Sequence, residues 1–157
     1  MSKNCLTFVG SVWKSFLATS GLEPTIIPRL KLKDAMPGLV KMELEIEKPH
    51  TNRLEILHGG VIAAIVDLGG SLALASRGMF STGVSTDLNV TYIASGGKIG
   101  NTIEIESRCH KLGGTLAFTT VEFYTPGSKQ LFARGTHTKY VAAAMKDPKN
   151  RVEEFKV

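Results

Sequence analysis

The residues of this chain best suited to chemistry lie in one stretch, ILHGGVIAAIVDLGGSLALAS. It links a His-Gly-Gly triplet, His58-Gly59-Gly60, to a lone carboxylate, Asp67, with apolar or small residues for eight positions on either side. A triplet of this kind opening a helix offers backbone N–H groups that no intrahelical carbonyl accepts, backed by the positive end of the helix dipole. Glycine lets a ligand oxygen approach that backbone closely. Such a place can hold a carbonyl oxygen on which negative charge develops during nucleophilic attack. The alternative is a helix start whose glycines serve tight packing, and the triplet alone does not separate the two. Asp67 adds a second group. An ionised carboxylate inside an apolar segment costs several kcal/mol unless partners satisfy it, and no lysine, arginine or histidine lies within one helical turn of it. It is either held by polar groups from other strands or kept reactive as a base or nucleophile by desolvation.

The spacing of the two groups bears on assembly. Nine residues along an α-helix correspond to a rise of roughly 13.5 Å and a rotation of roughly 900°, which puts His58 and Asp67 on opposite faces. They cannot meet at one small reacting group within a single chain. If both act in one site, the helix start comes from one subunit and the aspartate from another, which requires at least a two-fold homodimer.

The surrounding elements follow from periodicity. Val9, Val12, Trp13, Phe16 and Leu17 predict an amphipathic helix over residues 4–20, with Gly21 at the C-cap position. Leu30 and Leu32 alternate with lysines before an AMPG turn, and Val40, Met42, Leu44 and Ile46 alternate with Lys41 and glutamates, so residues 30–46 predict a hairpin with one solvated face. The apolar helix follows and ends near Arg77-Gly78. Further strands are expected over 84–93, 102–112, 115–124 and 130–141, separated by SGGK, LGG and PGSK turns. Asp87 and Asn89 alternate with Leu88 and Val90, so one side of that strand is expected to be solvated. The tail KDPKNRVEEFKV reads as mobile. A helix that is apolar all round must be covered all round, and one sheet of about five strands covers only one side. The rest falls to a second subunit or to the N-terminal helix. The expected fold is α+β, a curved antiparallel sheet wrapped around a long central helix, the hotdog arrangement.

Composition narrows the function classes. With 157 residues, 43% of them hydrophobic, the chain is one domain with a substantial core. The formal charge is +5 and the pI about 9.3, but lysines and arginines are scattered, and aromatic residues make up only 7% with no basic and aromatic interleaving. That distribution suits a small anionic partner and not nucleic acid. Residues 59–76 are about long enough to cross a bilayer, but Asp67 would sit near its centre at roughly 2.5–3.5 kcal/mol, so a helix buried in a soluble domain is expected and no membrane span. Cys5 and Cys109 form no CxxC pair and read as free thiols of a reducing, intracellular compartment. The cytoplasm is expected, with the mitochondrion as alternative because residues 1–22 carry Lys3 and Lys14 and no acid. His50, His110 and His137 lack metal-ligand spacing and read as surface or strand histidines, so no metal is expected.

The pieces HTNRLEILHGGVIAAIVD, GVSTDLNVTYIAS, TLAFTTVEFY and ARGTHTKY resemble, in order and spacing, the hotdog-fold acyl-CoA thioesterases of the PaaI and thioesterase-superfamily type over roughly residues 42–141. The resemblance implies hydrolysis of an acyl-CoA thioester to free acid and coenzyme A, in a homotetramer of two double-hotdog dimers. With the helical period at the start and the charged run at the end, the chain is expected to divide into an N-terminal helix packed on the domain (1–22), a hotdog domain (23–142) and a tail (143–157). Carried over position by position, the resemblance implies that Gly59 N–H polarises the thioester carbonyl while Asn52 and His58 position the carbonyl and the leaving thiolate. It also implies that Asp67 of the opposite subunit activates water held by Ser85. A thioester needs little beyond oxyanion stabilisation, so no cofactor is expected. Coenzyme A brings phosphates. Gly60, Lys98, Arg108, Lys111, Arg134 and Lys139 are candidates to bind substrate, although solvated strand ends explain each basic residue equally well. Two alternatives share the scaffold: a non-catalytic acyl-CoA or fatty-acid binding module, and a hotdog hydratase, whose type pairs its aspartate with a histidine five residues later, where this chain has Leu72.

Overall fold

The computed structural model describes residues 2–157. The chain begins with helix α1 (Ser2–Thr19) and a short helix α2 (Leu22–Ile26). The hairpin of β1 (Lys31–Met36) and β2 (Leu39–Glu45) leads through a 3₁₀ turn (Lys48–His50) to the central helix α3 (Gly59–Ala75). Four strands follow, β3 (Val84–Tyr92), β4 (Thr102–Leu112), β5 (Leu116–Tyr124) and β6 (Leu131–Tyr140). With the hairpin they form one antiparallel sheet of six strands, not about five, in the order β1-β2-β4-β5-β6-β3.

The sheet curves over α3. Val61, Ile62, Ile65, Val66, Leu68 and Leu72 of the helix share one buried cluster with Met42, Ile103, Ile105, Val121, Phe123 and Phe132 of the strands. The back of α3 is covered by α1, whose Cys5, Phe8, Val9, Val12 and Trp13 join the same cluster. Of the two covers the sequence allowed, the N-terminal helix takes this one. The residues of α3 left unburied are Gly59, Gly60, Ala63, Ala64 and Asp67, and the last four follow i, i+3, i+4, i+7 spacing, a single open stripe of small side chains ending in the carboxylate.

Two expectations are corrected. Gly21 is not a left-handed C-cap: its φ is −98°, and it starts α2, which has Pro24 in its first turn. Five residues are too few to show a helical period, so LEPTI carried no signal. The tail is not mobile but folded back. Phe155 is buried against Phe8 with ring centroids 5.5 Å apart, and Arg151 N–H donates to Gly78 O at 2.7 Å. An apolar residue at the end of a charged run was enough to anchor it.

Candidate active site

The start of α3 is built by its own sequence. His58 is the N-cap, extended at φ −71° and ψ 133°, and its Nδ1 accepts the Gly60 N–H at 2.7 Å. Nδ1 therefore acts as acceptor, which leaves Nε2–H as the donor of this exposed side chain. The N–H groups of Val61 and Ile62 both go to His58 O. Gly60, expected among the free donors, has thus given its amide to the cap, and the Gly59 N–H is the first-turn donor that these bonds leave over. The Tyr92 ring from β3 lies over Gly59 and its Oη donates to Gly59 O at 2.8 Å; a β-carbon added at residue 59 would meet that ring at 3.1 Å. Asn52 sits in the loop before the helix, where its Oδ1 accepts from Leu54 N–H at 2.9 Å. Its oxygen is committed to the loop, so the amide NH₂ is what it can offer a ligand.

Two turns on, Asp67 is met from the sheet. Ser85 Oγ donates to Asp67 Oδ1 at 2.8 Å, and His137 Nε2 lies 2.8 Å from Ser85 Oγ and 3.3 Å from Asp67 Oδ1. With the serine proton directed at the carboxylate, the imidazole donates to the serine oxygen, giving a chain from His137 Nε2–H through Ser85 Oγ–H to Asp67. His137 is fully buried, and its Nδ1 has no protein partner. Burial and the charge of Lys139 push its pKa down, against the pull of Asp67, so it is neutral at physiological pH. Asp67 itself is half-open in the single chain, with 43% of its side chain exposed, not buried as its apolar neighbours suggested.

Local details make this meeting possible. A β-carbon at residue 70 would lie 2.3 Å from His137 Nδ1 and 2.7 Å from Thr119 Oγ1, so Gly70 is the gap in α3 through which the histidine reaches the helix. On β3 a bulge between Ser85 and Asp87 shifts the register, pairing Ser85 with Lys139 and Leu88 with His137. Residues directly opposite share a face, so Ser85 joins Leu88 and Val90 on the helix side, where plain alternation would have sent it out with Asp87 and Asn89.

The basic candidates are not gathered in one place. Lys139 is buried on the helix side of β6, its Nζ bonded to Ser71 Oγ, and cannot meet a phosphate at the surface as expected. Arg108 and Arg134 lie on the opposite face of the sheet, lining with His110 a groove of about 410 Å³, and Arg108 pairs with Glu106 at 2.7 Å. Lys98 is exposed in the loop bridged to Ile56, two residues from His58. His137 is the member of the Asp67 cluster that sequence reasoning did not assign to the site. Its signal was legible in ARGTHTKY, where small Ala133 and Gly135 mark the buried face that His137 and Lys139 continue. Among the described residues no cluster of three or more His, Cys, Asp or Glu could hold a metal, and no helix is long and apolar enough to cross a membrane.

A helix cradled in a six-stranded antiparallel sheet, with amide donors at its start and a carboxylate midway, is the hotdog architecture, and comparison with known proteins places the chain within it. The model of the thioesterase superfamily matches residues 54–132. The protein C31F10.02 of Schizosaccharomyces pombe is 48% identical over 145 residues, 92% of this chain and 89% of that one. Acyl-coenzyme A thioesterase 13 of Homo sapiens is 39% identical over 116 residues, 74% of this chain and 82% of its own. The crystal structure of zebrafish thioesterase superfamily member 2 superposes with a TM-score of 0.78 at 35% identity, covering 86% of this chain and 96% of that one. The chain belongs to the thioesterase superfamily, and it is a thioester hydrolase.

Proposed function

We propose that the protein hydrolyses acyl-CoA thioesters in sites shared between two subunits, with Asp67 as general base. The observation that carries this is the Asp67 carboxylate, held by Ser85 and His137 yet open at the unpaired edge of the sheet. The similarity to acyl-coenzyme A thioesterase 13 supports the substrate class. Its own helix start lies eight residues away, roughly 12 Å along the axis, too far for one reacting group. A second copy related by a two-fold axis, joined through β3 and the Gly60, Ala63, Ala64 stripe, brings that copy's Gly59 amide opposite this chain's Asp67. The β3 edge supports such a partner: Val84, Leu88 and Tyr92 are 64%, 38% and 54% exposed on a nine-residue strand whose only charge is Asp87. Pairing of two such dimers into a tetramer extends the same reading.

In the shared site, Asp67 takes a proton from water as the water oxygen attacks the thioester carbon. Ser85 holds that water and the carboxylate. Gly59 N–H and the Asn52 NH₂ of the second subunit receive the charge that builds on the carbonyl oxygen. The C–S bond then breaks, the thiolate takes up the proton from Asp67, and Nε2–H of the exposed His58 stabilises it. Lys98, beside the entrance, is the basic residue best placed for a coenzyme A phosphate. Free Cys5 and Cys109, both buried, suit the reducing cytoplasm or mitochondrion.

The test is thiol release from acyl-CoA by mixed variants. Asp67→Asn and Asn52→Ala are each expected to be nearly inactive alone. Refolded together at equal amounts they regain about a quarter of wild-type activity, because half the dimers carry one intact site. No recovery sinks the shared site. Binding of acyl-CoA without thiol release by the wild type points instead to a binding module. Addition of water to a double bond points to a hydratase, against which Leu72 stands fully buried in the core.

A further inference from the structure

The peptide that joins Gly59 to Gly60 is held at both ends by side chains. Its N–H donates to His58 Nδ1 at 2.7 Å, and its carbonyl oxygen, Gly59 O, accepts the Tyr92 hydroxyl at 2.8 Å. The first bond belongs to the helix cap. The second comes from another element, 33 residues further along the chain on β3. A helix opened by two glycines needs such fixing, because glycine adopts more backbone conformations than other residues and the first turn has few bonds of its own. The ring of Tyr92 also fills the space of a side chain at 59: an added β-carbon would lie 3.1 Å from its Cε1, 3.2 Å from Cζ and 3.3 Å from Oη, tighter than ordinary van der Waals contact. Ring and glycine are fitted to each other. β3 thus holds α3 at both of its chemical groups, through Ser85 on Asp67 and through Tyr92 on Gly59, each at 2.8 Å. Tyr92 is 54% exposed, and an exposed hydroxyl bonds to water in the unfolded chain as well, so this hydrogen bond adds little to stability.

We propose that Tyr92 is a positioning residue for the thioester carbonyl: by pinning the Gly59–Gly60 peptide from the sheet side, it fixes the direction of the Gly59 N–H before substrate arrives. This rests on the reading of the Gly59 N–H as donor to the carbonyl oxygen. Peptide planes are rigid, so the freedom between that N–H and the pinned carbonyl lies in the φ and ψ of Gly59 alone. The hydroxyl on the carbonyl restrains ψ, and the ring, lying where a β-carbon would point, leaves the residue little room to rock. A donor already aimed costs no reorganisation when negative charge builds on the oxygen, which is where such a hydrogen bond does most for the rate. The restraint favours the transition state over the bound thioester, so its loss lowers kcat more than it raises KM. Tyr92 acts through Gly59 and not on the reacting atoms.

The test compares full-length wild type with Tyr92→Phe, which keeps the ring and removes the hydroxyl, in steady-state acyl-CoA hydrolysis with melting temperatures alongside. Tyr92→Phe is expected to melt within a few degrees of wild type, keep KM within about twofold and lose about tenfold in kcat, the order set by a misaligned reacting group. Two nonhydrolysable ligands read the geometry directly. An acyl-CoA analogue with a ketone in place of the thioester offers Gly59 a carbonyl oxygen, and the corresponding alkyl thioether of coenzyme A does not. In Tyr92→Phe the ketone is expected to bind about tenfold more weakly, with a smaller downward shift of its infrared carbonyl band, and the thioether within about twofold of wild type. Gly59→Ala displaces the ring with a methyl group; adding Tyr92→Phe to it is expected to cost no more than about twofold further, since both changes break one contact. An unchanged kcat and carbonyl band in Tyr92→Phe overturn the proposal. Equal weakening of ketone and thioether also overturns it, because Tyr92 is then a plain contact of the substrate. A wild type that releases no thiol defeats the thioesterase reading itself, and an active wild type that leaves the ketone band unshifted defeats Gly59 as donor. Both differ from an active wild type with a shifted band that is indifferent to Tyr92.

Discussion

The two edges of the sheet are finished in opposite ways. The β1 edge carries Lys31, Lys33 and Asp34, pairs Lys33 with Glu43 at 3.0 Å, and lies under α1. Charges and a covering helix close it to further strands. The β3 edge has neither protection: its sequence VSTDLNVTY is nearly uncharged, its Val84, Leu88 and Tyr92 side chains are exposed, and among the described residues no strand pairs with its outer side. Asp67 and Tyr92 both face this second edge, and the bulge at Thr86 turns Ser85 to the helix side of it. One edge of the sheet is thus closed by the chain itself, and the other, beside Asp67, is left open.

That contrast can be broken in graded ways. The largest effect is expected from Asp67→Asn, which removes the proposed base and leaves the shape; thiol release falls by about 10²-fold or more, following the contribution of general base catalysis. Leu88→Lys puts a charge on the open edge. Sedimentation is expected to show a folded monomer, with activity falling about as far as in Asp67→Asn because no second helix start reaches the carboxylate. The matching change on the closed edge, Lys33→Ala, leaves both assembly and activity within twofold, since an exposed ion pair contributes about 0–1 kcal/mol.

Smaller effects sharpen the interior of the same contrast. Gly70→Ala drives a methyl group against His137 and costs about 1–3 kcal/mol in denaturant unfolding, with loss of activity. Gly10→Ala in α1, where an added methyl meets nothing within 4 Å, stabilises by about 0.5–1 kcal/mol. pH acts on stability through His137. Its folded pKa lies below the ordinary 6.5, so the unfolded chain binds more protons as the solution becomes acidic. Stability is therefore expected to be full above about pH 6.5 and to fall below it, and a His137→Gln variant scanned by melting temperature loses that part of the dependence.

Much of this was legible in the residues themselves. The period of α1, the unbroken apolar run of α3 and the alternation in β2 and β6 follow from side-chain spacing, and the isolation of Asp67 among apolar neighbours marked it at once. Lys139 was misread as a surface base, although it shares the small-residue face of β6 with Gly135. Ser85 could not be placed by alternation because one bulged residue reverses the face of everything before it. α2 and the folded tail escaped because short, non-periodic segments are held by tertiary contacts, such as Phe155 on Phe8, and not by their own pattern.

The sequence by itself determined the elements, the apolar surfaces they must bury and the distance between helix start and aspartate, because these depend on residue spacing along one backbone. Only the tertiary structure decided that a strand histidine and serine from two different elements meet that aspartate, that a lysine is buried behind them, and that one sheet edge is left open. Those outcomes depend on register and on glycine-sized gaps, which are set when separate segments pack and which no local spacing records.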